Sequence, residues 1–119
     1  KRKLNEAWIA AAEQLTNELS AAYNIRFIGR SRKQKVVLTQ DFVTESFSVN
    51  NQTLRYQQVE SSFTQPNAGV NQQMLQWAAD IATSLKGDLL ELYCGNGNFS
   101  LALAPYFNQV IDIGFEMRR

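Results

Sequence analysis

The chain has 119 residues, 12 of them Lys or Arg against 11 Asp or Glu, for a net charge of +1, and 45% of it is hydrophobic. That balance describes a globular chain and excludes a disordered or membrane-spanning one, since no apolar run approaches the roughly 18 residues of a membrane helix. One cysteine, Cys94, and no histidine exclude a disulfide framework, histidine metal ligation and any Ser/His/Asp or Cys/His machinery; the unpaired thiol suits a reducing, cytoplasmic setting.

In chain order, Leu4, Trp8, Ala11, Leu15 and Leu19 recur at three and four residues, which predicts a helix from about Lys3 to Ala22 with one apolar stripe. Ile25 to Arg30 and Lys35 to Thr39 predict two strands around a polar turn, Ser31 to Gln34. Arg26, Arg30, Arg32, Lys33 and Lys35 place several positive charges on and beside that turn with no acid among them. Two readings stand for this cluster: a solvated turn, or phosphate contacts to RNA through residues such as Arg30, Arg32 and Lys33. Phe47 to Val49 and Thr53 to Gln58 predict a second hairpin around Asn50-Asn51, asparagine being tolerant of the left-handed conformation.

A polar loop follows at Glu60 to Asn67, and the expected domain boundary falls there, dividing residues 1–60 from 61–119. Val70, Met74, Trp77, Ala78, Ile81 and Leu85 make the apolar face of the next predicted helix, started near Asn67 and ended by Gly87. Asp88 to Tyr93, a short helix from Asn98 to about Ala104 closed by Pro105, and Gln109 to Ile113 predict a right-handed βαβ unit. A parallel sheet needs both faces covered and several crossovers, and only one crossover fits here. With no methionine at Lys1, the expectation is an internal piece of a larger protein whose exposed strand edges invite self-association.

The stretch Leu89 to Ser100 delivers an apolar strand onto a turn containing Gly95 and Gly97 and then into a helix. A backbone without side chains at those two positions can bend tightly and approach a ligand closely. A dinucleotide-binding turn wants GxGxxG, but Ser100 holds the third glycine's position. An acid at the strand end followed by GxG, which Glu91, Gly95 and Gly97 supply, suits S-adenosylmethionine instead. A ligand-free strand-to-helix turn is the remaining alternative.

The segments Phe63-Thr64-Gln65-Pro66-Asn67 and Glu91-Leu92-Tyr93-Cys94-Gly95-Asn96-Gly97-Asn98-Phe99-Ser100 resemble the tRNA uracil carbon-5 methyltransferase family, most of all the bacterial enzyme acting on the T loop of transfer RNA. The likeness extends through Ile28-Gly29-Arg30 and Tyr56-Gln57-Gln58-Val59-Glu60 to about Val110. Ribosomal-RNA uracil methyltransferases share the layout and are the near alternative; a non-catalytic RNA-binding fragment and a nicotinamide-dependent enzyme are more distant ones.

The resemblance implies an α/β protein: a partial Rossmann-like class I methyltransferase fold preceded by an α+β segment of a helix and antiparallel hairpins. It implies S-adenosylmethionine as methyl donor, with Gln65, Tyr93 and Asn98 matching positions that contact it, and transfer RNA as partner. Each has a plainer alternative: loop satisfaction for Gln65, strand-end packing for Tyr93, a helix cap for Asn98. The family's ribose-binding acid falls at Gly114, which has no acceptor; Asp112 and Glu116 would each stand about 7 Å away along a regular strand. The family's cysteine nucleophile and carboxylate base lie downstream of Arg119, and Cys94, in the cofactor turn, matches neither. The resemblance therefore implies no catalytic residue in this chain, and an inactive fragment.

Overall fold

Asn5 opens the first helix, its side chain accepting the Trp8 N–H at 3.0 Å, in the computed structural model, which describes residues 3–114. The architecture is α/β, with helices α1 (Glu6–Ser20), α2 (Ala68–Ala82) and α3 (Asn98–Leu103) and strands β1 (Ile28–Ser31), β2 (Gln34–Val37), β3 (Phe42–Val49), β4 (Gln52–Val59), β5 (Leu89–Leu92) and β6 (Val110–Ile113). The strands pair two by two as β1-β2, β3-β4 and β5-β6. By packing, the chain forms two compact units, one ending at Val43 and the other beginning at Thr44. Among the described residues no helix is long and apolar enough to cross a membrane.

In the first unit, β1 and β2 pair antiparallel from Ile28 opposite Val37 to Ser31 opposite Gln34. Only Arg32 and Lys33 form the turn, and Arg32 takes a left-handed φ of 46°. Helix α1 is tied to this hairpin at two points: Leu4 N–H donates to Gln34 Oε1 at 3.0 Å, and a side chain at Gly29 would collide with the Trp8 ring. The most buried helical positions are Ala12 and Thr16, while Trp8 and Leu15 stay 36% and 42% exposed. The expected stripe is thus rotated by one residue. Hydrophobicity pointed away from Thr16, whose burial is tolerated because its hydroxyl donates to Ala12 O at 2.7 Å within the helix.

In the second unit, Asn50 and Asn51 both adopt left-handed φ, 46° and 63°, the geometry a two-residue hairpin turn requires. Phe47 and Val49 from β3, Leu54 and Tyr56 from β4, Leu75 and Ala79 from α2 and Ala102 from α3 form one core. Helix α2 begins after Asn67, whose side chain accepts the Val70 N–H at 3.0 Å. Its buried face is Asn71, Leu75, Ala79 and Ala82, whereas of the expected face Ala78 is half-buried and Val70, Met74, Trp77, Ile81 and Leu85 are exposed, Trp77 by 68%. The helix carries two adjacent apolar faces, and the core takes the one whose alanines let the backbone approach its neighbours. It also stops earlier than expected, at Ala82. Gly87, at φ 107°, instead uses its carbonyl to accept the Asn108 N–H at 2.8 Å, just before the last two strands align.

Those strands pair parallel, Leu89 to Leu92 against Val110 to Ile113, with α3 between them in sequence. Leu90, Leu92, Ile111 and Ile113 share one exposed face. Helix α3 ends at Leu103, and Pro105 sits inside a following single 3-10 turn, Ala104–Tyr106. Asp112 is exposed on β6, and Glu116 lies outside the described residues.

Candidate functional site

After Leu92 the backbone enters the left-handed region three times in five residues: Tyr93 at φ 59°, Gly95 at 57° and Gly97 at 74°. For the glycines this costs nothing, but for tyrosine it is strained by about 1–2 kcal/mol. Burial of the ring does not offset that strain, because Tyr93 is 84% exposed; strand-end packing is therefore not its role. A Cβ built on Gly95 or Gly97 would meet nothing within 4 Å. Conformation, not crowding, therefore selects glycine at both positions.

Behind the turn the situation is opposite. Gly97 caps α3 without a side chain, so the first turn of this helix must be held from elsewhere. Glu91 reaches from β5 so that one carboxylate oxygen accepts both the Ser100 N–H, at 2.7 Å, and the Ser100 hydroxyl. Tyr56 Oη from β4 donates to Asn98 O at 2.8 Å. Asn71 of α2 and Asn98 exchange two amide hydrogen bonds, at 3.0 and 2.8 Å. Asn96 Nδ2 donates to Gln58 Oε1 at 2.9 Å, and Gln58 Nε2 donates to Glu45 Oε2 at 2.9 Å. Burial, and secondarily the negative charge of Glu91, push the Tyr56 hydroxyl up to about 12. It stays a neutral donor at any physiological pH.

Five of the expected residues, Glu91, Tyr93, Gly95, Gly97 and Asn98, thus come together on one turn. Gln65 is half-buried in the segment leading into α2, the helix whose Asn71 grips Asn98. Asn98 follows the capping residue, Gly97, and is not itself the cap. Cys94 is half-buried; its N–H donates to Ile113 O at 3.3 Å, and its Sγ would stand 3.0 Å from a Cβ placed on Gly114. Arg30, Arg32 and Lys33 lie together on the β1-β2 turn. Within the basic cluster, Lys35 is paired with Asp41 at 2.6 Å, an acid supplied from beyond the hairpin.

Tyr56, Gln58 and Asn71 carry no sequence signal of a site when read singly. Asn71 had one available clue: it lies on the same helical line as Leu75, Ala79 and Ala82, so a polar residue interrupts an otherwise apolar face.

Glu91 near the end of β5, a left-handed glycine turn and a short helix pinned behind it thus form one strand–turn–helix site. Residues 1–116 match the family model described as tRNA (Uracil-5-)-methyltransferase. The chain is 59% identical over 110 residues to a tRNA/tmRNA (uracil-C(5))-methyltransferase of Pseudoalteromonas translucida. It is 56% identical over the same length to the proteins of that name from Shewanella frigidimarina and Aromatoleum aromaticum. Each match covers 92% of this chain and 29–30% of the relative, so the chain spans about 30% of the length of the curated relatives it matches. The chain belongs to the tRNA (uracil-5-)-methyltransferase family.

Proposed function

We propose that the protein carrying this chain transfers a methyl group from S-adenosylmethionine to carbon 5 of a uridine in the T loop of transfer RNA, giving 5-methyluridine. The relatives named as acting on tRNA and tmRNA support the substrate class. The single observation that carries the cofactor reading is the turn at Tyr93 to Gly97, where two left-handed glycines border open space beside a strained, exposed tyrosine. These residues fit the methyl donor: the glycines leave room against the main chain, Tyr93 offers a ring face and hydroxyl, and Gln65 and Asn98 offer amides able to donate and accept. When bound, S-adenosylmethionine supplies an electrophilic methyl group. Glu91 orders the turn through Ser100.

On this reading residues 61–119 are the N-terminal portion of a Rossmann-like cofactor domain, with β5, α3 and β6 its first crossover, and residues 1–60 belong to a central α+β region. The β3-β4 hairpin packs into the core beneath the turn and so links the two parts. Arg30, Arg32 and Lys33 take RNA phosphates, the protein works in the cytoplasm, and nucleophile and base come from outside this chain, which alone is inactive. The exposed apolar face of Leu90, Leu92, Ile111 and Ile113 makes the isolated chain self-associate; a purely monomeric species in light scattering at high concentration would contradict this. Calorimetry tests the main reading: S-adenosylhomocysteine binds to the full-length protein and a nicotinamide dinucleotide does not. The reverse result overturns it.

A further inference from the structure

Asn98 is the residue of the cofactor turn most firmly held by the rest of the fold. Its side-chain amide is paired with Asn71, which is 2% exposed, and its carbonyl accepts from the Tyr56 hydroxyl, itself 2% exposed. Neither partner sits in the turn: one comes from the first turn of α2, the other from β4. The paired amides use one N–H and one lone pair each, which leaves Asn98 a second donor and a second acceptor. No buried side-chain polar atom among the described residues lacks a partner, so both clamps are fully satisfied.

We infer that Asn71 is a positioning residue for cofactor binding, acting through Asn98, with Tyr56 as its counterpart on the main chain. The inference rests on the cofactor reading above and extends it to two residues remote from the ligand in sequence. An asparagine free to rotate about two bonds must be ordered when a ligand binds; one clamped in advance avoids that cost. The clamp also explains why a buried polar residue interrupts the apolar face of α2. The hydroxyl of Tyr56 holds the Asn98 carbonyl, so the main chain of the turn and the side chain it presents are fixed by separate elements.

The test is S-adenosylhomocysteine affinity in full-length protein, with T-loop RNA affinity measured alongside. Asn71→Asp is isosteric but, when ionised, cannot donate to Asn98 Oδ1 and sets two oxygens against each other. At pH 8 its affinity for the nucleoside falls about tenfold or more. At pH 6 the buried carboxyl takes up a proton and donates as the amide did, and affinity returns to within about threefold of wild type at that pH. RNA affinity is unchanged throughout. The titratable groups on the packed elements, Tyr56 from β4 and Glu91 from β5, are common to both proteins and cancel in the comparison. Wild-type affinity in folded Asn71→Asp at a pH where NMR shows its carboxyl to be ionised overturns the inference, as does a loss that is equal at both pH values and shared by RNA. If that variant does not fold, Tyr56→Phe decides: about threefold weaker nucleoside affinity supports the clamp, and unchanged affinity overturns it. A wild-type protein that binds no S-adenosylhomocysteine sinks the cofactor reading, and the inference with it.

Discussion

The two sides of the glycine turn differ in almost every physical respect. On one side Tyr93, Gly95 and Gly97 are left-handed, the first two exposed and Gly97 half-buried, with open space where a side chain on either glycine would stand. On the other, Glu91, Asn71, Tyr56 and Ser100 are buried or half-buried and joined by hydrogen bonds from four elements. Strain can persist at an exposed turn only when its surroundings determine the backbone independently. The rear network does so here, which leaves the front free to be shaped for a ligand.

The comparison breaks most visibly at Glu91. Glu91→Ala removes the acceptor of the Ser100 N–H and hydroxyl, and is expected to cost about 2 kcal/mol of stability in urea unfolding, with loss of nucleoside affinity. Next in size is an alkaline effect at Tyr56. Its hydroxyl is raised from 10.0 to about 12 in the folded state, so the unfolded chain ionises first and stability falls as pH climbs through that window. At pH 11 the expected loss is about 1 kcal/mol, and Tyr56→Phe abolishes that increment. A smaller effect of opposite sign sharpens the contrast: Tyr93→Gly relieves the left-handed strain and raises stability by about 0.5–1 kcal/mol while weakening nucleoside binding. Loss of stability in this variant would show that the ring supports the fold. The smallest change is Lys35→Ala, which breaks a partly exposed ion pair and shifts the unfolding free energy by less than about 0.5 kcal/mol.

Legibility followed the range of the physical cause. The Asn50-Asn51 turn, the start of α2 after Asn67, and the glycine turn were readable because each depends on the conformational freedom or capping ability of residues within a few positions. The packed faces of both long helices were misread. Val70, Met74 and Trp77 outrank Asn71, Ala79 and Ala82 in hydrophobicity, yet it is the second set that meets the core. Periodicity identifies residues that share a line; it does not identify which of two neighbouring lines is covered. For α1 the same difficulty hid Thr16. The candidate site shows the same split: Glu91, Tyr93, Gly95, Gly97 and Asn98 announced themselves in one continuous segment, whereas Tyr56 and Asn71 lie 42 and 27 residues from Asn98.

By itself, then, the amino-acid sequence determined the family, the βαβ order and the glycine turn, since these are written in local residue types and their spacing. Only the tertiary structure decided that Glu91 caps a helix instead of pointing at open space, that Asn98 is held by Asn71 and Tyr56, and which face of α2 is inside. Those outcomes depend on which distant segments meet, and a hydrogen bond between remote side chains leaves no periodicity along the chain.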